Sequence, residues 1–489
     1  MEGPDQPRQR GLARGLIIAA MTCIALAACG PKTGAGAQAP AQSVAFSRGD
    51  LKSALDALAQ APAQGFAPGA FGDPARISAL INDPARQDEG RAALRKGLIA
   101  YARAEHGLGL PRDQFPKEWG IHPAAYDAGG ELDQAIGAHR FVDWLRGLPP
   151  PAPAYQALVR MLGAWRQAAA RGGWPAIPGG AALRVGARGP RVAALRNRLS
   201  GEDPGLNAAA AKTAPDVYDG ALARAVGQAQ VRYGLKPTGI ADSATLTALN
   251  VPAATRVNQI RANLERWRWL PRVLPATRVE VDAAGDTMDY YVDGAPAVHM
   301  LAASGKPGDE TPILISAITQ IEFNPPWRVP ADIAEKELFP KEHAHPGYLA
   351  RNHFVRGSGE AAPLVQEPGP KSALGKVKFE FDNPYGVYMH DTPAKSAFDL
   401  SQRQVSHGCV RLERAVGLAR ALLAPAGWSP ERVDAAIASD DTSTVKLPTP
   451  IPVMFLYWTA QVRNGQMTFA QDPYGWDDIV VRLLDATKP

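Results

Sequence analysis

The chain has 489 residues, of which 46% are hydrophobic and 21% charged, and its formal net charge at neutral pH is +5. This length exceeds what one hydrophobic core supports and predicts about two to four domains. The apolar fraction excludes a wholly disordered chain, and the 3 cysteines exclude a disulfide scaffold. The charge does not indicate nucleic-acid binding, because the sequence has no run of Lys and Arg.

The first residues show the sequence pattern of a targeting signal. Arg8, Arg10 and Arg14 precede an apolar stretch that runs from Leu16 to Ala28. At a helical rise of 1.5 Å per residue this stretch spans about 20 Å, which is short of the roughly 30 Å of a membrane core. A basic segment followed by a short apolar segment and small residues is typical of a secretory signal.

Residues 26–29 read Leu-Ala-Ala-Cys and resemble a bacterial lipobox, in which the cysteine receives the lipid. The resemblance implies a lipoprotein signal peptide over residues 1–28, a lipid anchor on Cys29 and a periplasmic location. Gly30 in place of Asp fits transfer to the outer membrane. The alternative is an ordinary signal peptide in which Cys29 has no role. Residues 29–46 are rich in Gly, Ala and Pro without periodicity, which predicts a flexible tether.

Cys409 is then the only thiol of the exported body. Cys23 lies in the signal peptide, and Cys29 would be lipidated. An unpaired cysteine in an oxidising compartment is a liability unless it is functional or deeply buried.

Residues 47–180 show helical periodicity and predict a helical scaffold domain. Leu51, Leu55 and Leu58 follow the spacing i, i+4, i+7. The histidines of this region are separated from one another and predict surface or packing roles: His106, His122 and His139.

Residues 181–252 predict a separate module of three helices. The apolar positions of each helix fall on one face: Val192, Leu195 and Leu199, then Leu222, Val226, Ala229 and Tyr233, then Leu246 and Leu249. Asp242 or Ser243 is expected to cap the third helix. The order of these three segments resembles the three-helix peptidoglycan-binding domain. The module departs from that family in an Ala-rich stretch at 203–215 and in Ala229, which stands where an aromatic residue is usual.

From residue 277 the period of the apolar residues changes to 2, which predicts strands. Asp293-Gly294 and Asn464-Gly465 are hairpin signals, and a helix is expected over 412–424. Residues 326–375 are Pro-rich and irregular, a pattern typical of a functional lid or of disorder. The fold class predicted for the chain is multidomain α+β, with a mostly β domain over 253–489.

The candidate chemistry lies in Ser406-His407-Gly408-Cys409, with His390 upstream. A nucleophilic thiol needs a neighbour that takes its proton, and an imidazole does so. Gly408 allows close backbone approach, so the amides of Gly408 and Cys409 are candidates for an oxyanion hole. On a strand, His407 would share a face with Cys409.

Two other interpretations of these residues are open. Cys409 could be a buried core thiol, or it could bind a metal with His390 and His407, although no second Cys or carboxylate pair supports a metal. A looser group of histidines in a Pro-containing segment is assigned no metal: His343, His345 and His353.

His390, fifteen intervening residues and then the letters SHGC resemble the signature of the L,D-transpeptidase (YkuD-type) catalytic domain at positions 406–409. The flanking phrases resemble the large, multidomain periplasmic subfamily: LNVPAATRVNQIRANLERWRWLP (249–271), NPPWRVPADIA (324–334), PGPKSALGKVKFEF (368–381), VYMHDTPAKSAF (387–398) and PVMFLYWTAQV (452–462). The chain departs from short family members in Arg411, where they carry Asn. Its first strand is more acidic than usual, which is expected to weaken the packing of that strand without touching the site.

The resemblance implies that Cys409 attacks a tetrapeptide stem of peptidoglycan, that His390 acts as the base, and that the thioester passes to an amine of another stem as a 3→3 cross-link. Ser406, His407 and Gly408 would shape the oxyanion hole. Arg411 would bind a stem carboxylate or hold the loop, and Tyr388 and Trp327 would line the cleft. A lid over 328–385 would exclude water. The resemblance implies no cofactor and no metal, and its partners are stem peptides and glycan.

Three alternative functions are open, and the first two use the same Cys409 and His390. An L,D-carboxypeptidase would pass the acyl group to water, and a related hydrolase would release a lipoprotein from the wall. A catalytically silent lipoprotein would tether the membrane to the wall, and such a protein is expected to have lost Cys409 or His390.

Overall fold

The structure is a computed structural model that describes residues 46–202, 206, 214–357 and 362–487. The signal peptide predicted over 1–28, Cys29 and all of the predicted tether except residue 46 lie outside the described residues. In the part of the chain that is described, no helix has both the length and the apolar character to cross a membrane.

The N-terminal region is helical, as its periodicity predicts. Its helices are α1 Arg48–Gln60, α2 Pro74–Asn82, α3 Gln87–Glu105, α4 Ala128–Gly137, α5 Phe141–Gly147 and α6 Pro153–Ala170. Ser47 and Asp50 form a capping box that satisfies free amides at the start of α1. Leu58, Leu94 and Leu98 are buried in one shared core.

The next module has three helices, α7 Pro190–Ser200, α8 Gly220–Arg232 and α9 Ser243–Leu249. Asp242 caps α9, as one of the two predicted candidates, because its carboxylate accepts a hydrogen bond from the amide of Thr245 at 2.9 Å. Ala229 is fully buried in the module core. Most of the Ala-rich stretch at 203–215 lies outside the described residues.

A single helix, α10 Ala253–Trp269, packs against α6 of the N-terminal region and against the C-terminal helix α16 Trp476–Ala486. It is buried on most sides despite its many arginines. Arg266 pairs with Asp477 at 2.6 Å, and Arg268 pairs with Glu105 at 3.0 Å. Ion pairs therefore compensate the buried arginines of this helix and fix it to its neighbours in the interior.

The C-terminal region is built on a closed eight-stranded barrel. The strands of the barrel are β1 Arg278–Asp282, β2 Thr287–Val292, β3 Ala295–Ala303, β4 Leu314–Phe323, β8 Val377–Phe381, β9 Met389–His390, β10 Val410–Leu412 and β11 Ser443–Leu456. Their order around the barrel is β1-β11-β4-β8-β9-β10-β3-β2. Two pairs are parallel, β1 with β11 and β9 with β10, and the other neighbours are antiparallel. Alternating apolar residues of these strands fill the barrel interior.

Helices and a hairpin complete the barrel region. The helices are α14 Ala415–Leu423 and α15 Pro430–Ala438. The hairpin joins β12 Ala460–Arg463 to β13 Gln466–Phe469 through Asn464 and Gly465, which both have positive φ. This is the geometry that the Asn-Gly pair predicts.

The stretch expected to be irregular over 326–375 instead carries its own secondary structure, so that expectation is wrong. Three short strands pair in the order β5-β7-β6, and they are β5 Trp327–Arg328, β6 Phe354–Arg356 and β7 Leu364–Gln366. A helical segment runs from α11 Ala331–Ile333 through a π turn, Ala334–Leu338, into α12 Phe339–Ala344, and α13 Tyr348–Arg351 follows. A small hydrophobic cluster of its own holds this segment together. We call residues 327–357 and 362–366 the lid; the lid predicted over 328–385 also included β8, which belongs to the barrel.

Candidate active site

Two short parallel strands bring the predicted catalytic residues together. β9 pairs with β10 so that Met389 lies beside Val410 and His390 beside Arg411. Met389 and Val410 are fully buried in the barrel core. Because side chains alternate along a strand, His390 and Arg411 face the opposite side, away from that core.

The opposite side opens into a cavity of about 470 Å³ between the barrel and the lid. The predicted site residues that line it are Trp327, Tyr388, His390, Ser406, His407, Cys409 and Arg411. Gly408 is buried behind them. The structure therefore brings together residues that are up to 84 positions apart in the sequence.

His390 is held as a neutral base. Its Nδ1 lies 2.5 Å from the backbone oxygen of Asp391, a contact that requires Nδ1–H as donor and leaves Nε2 free to accept a proton. Burial lowers the pKa of His390 to about 3, and the guanidinium of Arg411 adds to this effect. The imidazole is therefore unprotonated at neutral pH.

Cys409 is the free cysteine of the described residues, and it is half-buried. Burial raises the pKa of the Cys409 thiol, while Tyr388, Lys378 and Arg411 act in the opposite direction. Burial also raises the pKa of Tyr388, and the adjacent Cys409 raises it further. Thiol and phenol are thus both neutral at pH 7, and the thiol must lose its proton as it attacks.

The protonated thiol makes a testable prediction for pH dependence. We expect the alkylation rate of Cys409 by iodoacetamide to rise about tenfold per pH unit between pH 7.5 and 9, because only the thiolate reacts. The rate is measured by mass spectrometry of the labelled peptide. A short cysteine peptide with blocked ends is the control, and its rate should level off above its pKa of about 8.5. A rate for Cys409 that is constant over this range would instead indicate a preformed thiolate–imidazolium pair.

The residues before β10 form a tight loop. Ser406 Oγ donates to the backbone oxygen of Cys409 at 2.5 Å and accepts from the amide of Gly408 at 3.2 Å. Gly408 has a φ of +104°, a conformation that favours glycine, and Thr311 Oγ1 donates to its carbonyl at 2.7 Å. The Gly408 amide is therefore occupied and is not the oxyanion donor that the sequence suggested. The Cys409 amide makes no hydrogen bond to any described residue and is the donor that remains.

His407 lies differently from the strand arrangement considered in the sequence. Since β10 begins at Val410, His407 belongs to the loop and does not share a strand face with Cys409. Its Nε2 lies 2.6 Å from Oε1 of Glu337 in the lid and 3.3 Å from Nζ of Lys306. His407 thus joins residues 406–409, which we call the catalytic loop after its predicted role, to the lid.

Arg411 is half-buried beside the cavity, and burial lowers the pKa of its guanidinium. Its guanidinium makes no side-chain hydrogen bond to any described residue, so it does not hold the loop. Of its two predicted roles, this geometry favours recognition of a carboxylate. Trp327 packs edge-on against Phe354 in the lid, with ring centroids 6.2 Å apart, and forms part of the cavity wall.

Four residues that support the loop were missed in the sequence: Lys306, Thr311, Glu337 and Tyr474. Tyr474 donates to the carbonyl of Gly305 at 2.7 Å and accepts from the amide of Thr311 at 3.3 Å. No motif marks these residues, because their contacts depend on which strands become neighbours in the barrel. Among the described residues, no group of three His, Cys, Asp or Glu side chains could hold a metal ion.

Three family models match the chain. Residues 276–436 match the L,D-transpeptidase catalytic domain, residues 188–249 match a putative peptidoglycan binding domain, and residues 44–162 match a scaffold domain. A curated relative, a putative L,D-transpeptidase of Haemophilus influenzae, is 28% identical over 236 residues. That match covers 45% of this chain and 48% of the relative, so it spans about half the relative's length.

Solved structures of L,D-transpeptidases are also similar to this chain. One, from Mycobacterium smegmatis, has 18% identity and a TM-score of 0.20 and covers 37% of this chain and 58% of that chain. Another is the catalytic domain of an E. faecium L,D-transpeptidase acylated by ertapenem, with 18% identity and a TM-score of 0.19. That match covers 37% of this chain and 98% of the other.

Proposed function

We propose that this chain, which carries an L,D-transpeptidase catalytic domain and a peptidoglycan-binding domain, uses Cys409 to form 3→3 cross-links between peptidoglycan stem peptides. The observation that carries the proposal is the convergence of the Cys409 thiol, the neutral His390 imidazole and the Arg411 guanidinium on one cavity under the lid. Acyl transfer to an amine needs a nucleophile, a base and a means of holding an anionic peptide, and these three groups supply them.

In the first step, the sulfur of Cys409 attacks the carbonyl carbon of the third stem residue while the thiol proton passes to Nε2 of His390. The oxyanion that forms is stabilised by the amide of Cys409. The C–N bond to the terminal D-Ala then breaks, and the imidazolium returns its proton to the leaving amine. The products are a thioester on Cys409 and free D-Ala.

In the second step, the side-chain amine of another stem attacks the thioester carbonyl and gives a proton to His390. The C–S bond breaks, the sulfur of Cys409 takes that proton back, and a new amide joins the two stems. A thioester keeps the acyl group activated, so the outcome depends on whether an amine or water reaches it first. The lid that covers the cavity supports transfer to an amine, because it limits the access of water.

Arg411 is expected to bind a carboxylate of the donor stem. We predict that Arg411→Met lowers kcat/KM for a tetrapeptide substrate about 10- to 100-fold, mainly through KM, because a hydrogen bond to a charged group contributes about 1.5–3 kcal/mol. Steady-state kinetics measure the effect. Arg411→Lys is the matched control, and it should lose less because it keeps the charge. An unchanged KM in Arg411→Met would exclude this role.

The experiment that tests the proposed function incubates the purified chain with disaccharide-tetrapeptide and analyses the products by mass spectrometry. A dimer that lacks one D-Ala would support 3→3 transpeptidation. Tripeptide alone would show that water is the acceptor and favour the carboxypeptidase. No change in the substrate would favour a lipoprotein-directed hydrolase or a silent tether.

We also propose that Cys29 carries a lipid that anchors the protein in the periplasm, at the outer membrane. The lipobox-like residues 26–29 support the lipid on Cys29, and Gly30 supports the outer membrane. Incorporation of labelled palmitate that Cys29→Ser abolishes is the expected result, and labelling that persists in Cys29→Ser would contradict it.

A further inference from the structure

Asp286, in the turn between β1 and β2, is a buried carboxylate with hydrogen-bond donors on both oxygens. It is 2% exposed. Its Oδ1 accepts from Ser304 Oγ at 2.6 Å. Its Oδ2 accepts from the amide of Arg403 at 2.9 Å and from Nε2 of Gln404 at 2.6 Å. The acidic residues of the first hairpin were expected to weaken its packing without touching the site. One of them, Asp286, instead connects this hairpin to the loop that precedes Cys409.

The partners of Asp286 continue directly into the catalytic loop. The carbonyl of Ser304 accepts from the amides of Val405 and Ser406, both at 2.9 Å. The amide of Lys306 donates to the carbonyl of Ser406 at 2.9 Å. Residues 403–406 are therefore held between the carboxylate of Asp286 and the backbone of residues 304–306. Cys409 follows after the Ser406–Gly408 turn.

Three titratable or charged groups face Asp286: Arg403, Asp282 and Tyr474. Burial raises the pKa of Asp286 to about 7, while the Ser304 hydroxyl and Arg403 oppose the rise and Asp282 adds to it. The carboxyl therefore gains a proton as the pH falls below about 7. A protonated carboxyl cannot accept hydrogen bonds from Ser304, Arg403 and Gln404 as a carboxylate does.

The same hairpin contains a matched comparison. Asp282 is 5% exposed and accepts from the amide of Trp458 at 2.9 Å and from Nε2 of Gln461 at 2.8 Å. These partners follow β11 and do not belong to the catalytic loop. Asp282 and Asp286 thus have similar burial in one hairpin, but only Asp286 contacts the segment that leads to Cys409.

We propose that Asp286 is a positioning residue that fixes residues 403–406 and thereby sets the placement of the Cys409 thiol. The inference rests on the proposed role of Cys409 as the nucleophile. Asp286 does not line the cavity and acts only through the loop. Replacement by Asn keeps the size of the side chain but puts an amide donor opposite existing donors, so the loop loses one of its attachments.

The experiment compares the full chain with its Asp286→Asn and Asp282→Asn variants. For Asp286→Asn we expect kcat to fall about 10- to 100-fold with KM within about twofold, because small displacements of a reacting group carry losses of this size. Iodoacetamide should label Cys409 at least about threefold faster at pH 8.5, because the loosened loop exposes the thiol. Asp282→Asn should leave kcat and the labelling rate within about twofold of the unmodified chain.

The pH profile gives a third readout. We expect kcat of the unmodified chain to fall below about pH 7 as Asp286 is protonated, and this acid limb should be absent in Asp286→Asn. Equal changes in Asp282→Asn and Asp286→Asn would overturn the proposal, as would an Asp286→Asn variant with normal kcat, pH profile and labelling.

A second variant and a readout that does not depend on turnover keep the test decisive. If Asp286→Asn does not fold, Gln404→Ala removes one donor to Oδ2 at a half-buried position. It should show the same changes at smaller size, and normal labelling and kcat in Gln404→Ala would overturn the proposal. Labelling needs no turnover, so failure of the proposed transpeptidation and failure of this inference can be told apart.

Discussion

Replacement of Cys409 by alanine is expected to abolish the cross-linked dimer. In the proposed mechanism both steps pass through a bond to the sulfur of Cys409, so no other group can carry the acyl chain. Loss of a covalent nucleophile typically lowers turnover by at least about 10³-fold. Mass spectrometry of the products from disaccharide-tetrapeptide measures the loss, as the disappearance of the dimer that lacks one D-Ala.

The control for this substitution is a measurement of folding. Cys409 is half-buried and packs against the barrel core, so the stability of the variant has to be measured. The loss of activity is assigned to the missing thiol only if the unfolding midpoint stays close to that of the unmodified chain. Cys409→Ser provides a closer match in size and polarity, and it should be similarly inactive because a hydroxyl at this site is a poor nucleophile. A dimer that still forms in Cys409→Ala would contradict covalent catalysis by this residue.

Local features of the fold could be predicted from the sequence because they depend on neighbouring residues. The cap at Asp242 is set by residues within one helical turn, and the Asn464-Gly465 turn is set by the positive φ that both residues adopt. The family comparisons confirm the L,D-transpeptidase catalytic domain and the peptidoglycan-binding domain, which were predicted from longer motifs.

The secondary structure of the lid and the shape of the catalytic loop could not be predicted in the same way. The strands of the lid have only two or three residues, which is too short for a periodic pattern to identify them. The loop at 406–409 is shaped by hydrogen bonds with Lys306 and Thr311, about 100 positions upstream. The role of His407 likewise depends on Glu337, which only the folded chain brings within reach.

The interior charges of α10 are the clearest case of structure that sequence patterns do not reveal. Arg268 is fully buried and pairs with Glu105 and Glu265, each at 3.0 Å. Glu105 comes from α3, so the partner lies 163 positions away. The hydroxyl of Tyr155 also accepts a hydrogen bond from Arg268 at 2.9 Å. A helix rich in arginine is therefore an interior element held by ion pairs.

Substitution of Arg268 by methionine is expected to have the largest effect on stability. It would leave the carboxylates of Glu105 and Glu265 buried without a counter-charge, and removal of one member of a buried ion pair typically lowers the free energy of unfolding by about 3–5 kcal/mol. Chemical denaturation measures the change. Arg272→Met is the matched control, because Arg272 is half-buried and donates to backbone carbonyls of Leu148 and Pro149. Its loss should be smaller, about 1.5–3 kcal/mol, because its partners are neutral carbonyls and no buried charge is left unpaired.

The pH dependence of the Arg268→Met variant separates loss of charge pairing from loss of packing. Burial already raises the pKa of Glu265, and Arg268 opposes that rise, so the substitution raises the pKa further. A carboxyl whose pKa is higher in the folded state than in the unfolded state contributes stability at low pH and loses it as the pH rises through the folded-state pKa. The deficit relative to the unmodified chain should therefore shrink as the pH falls from 7 toward 5. A deficit that is constant over this range would show that Arg268 stabilises the helix through packing alone.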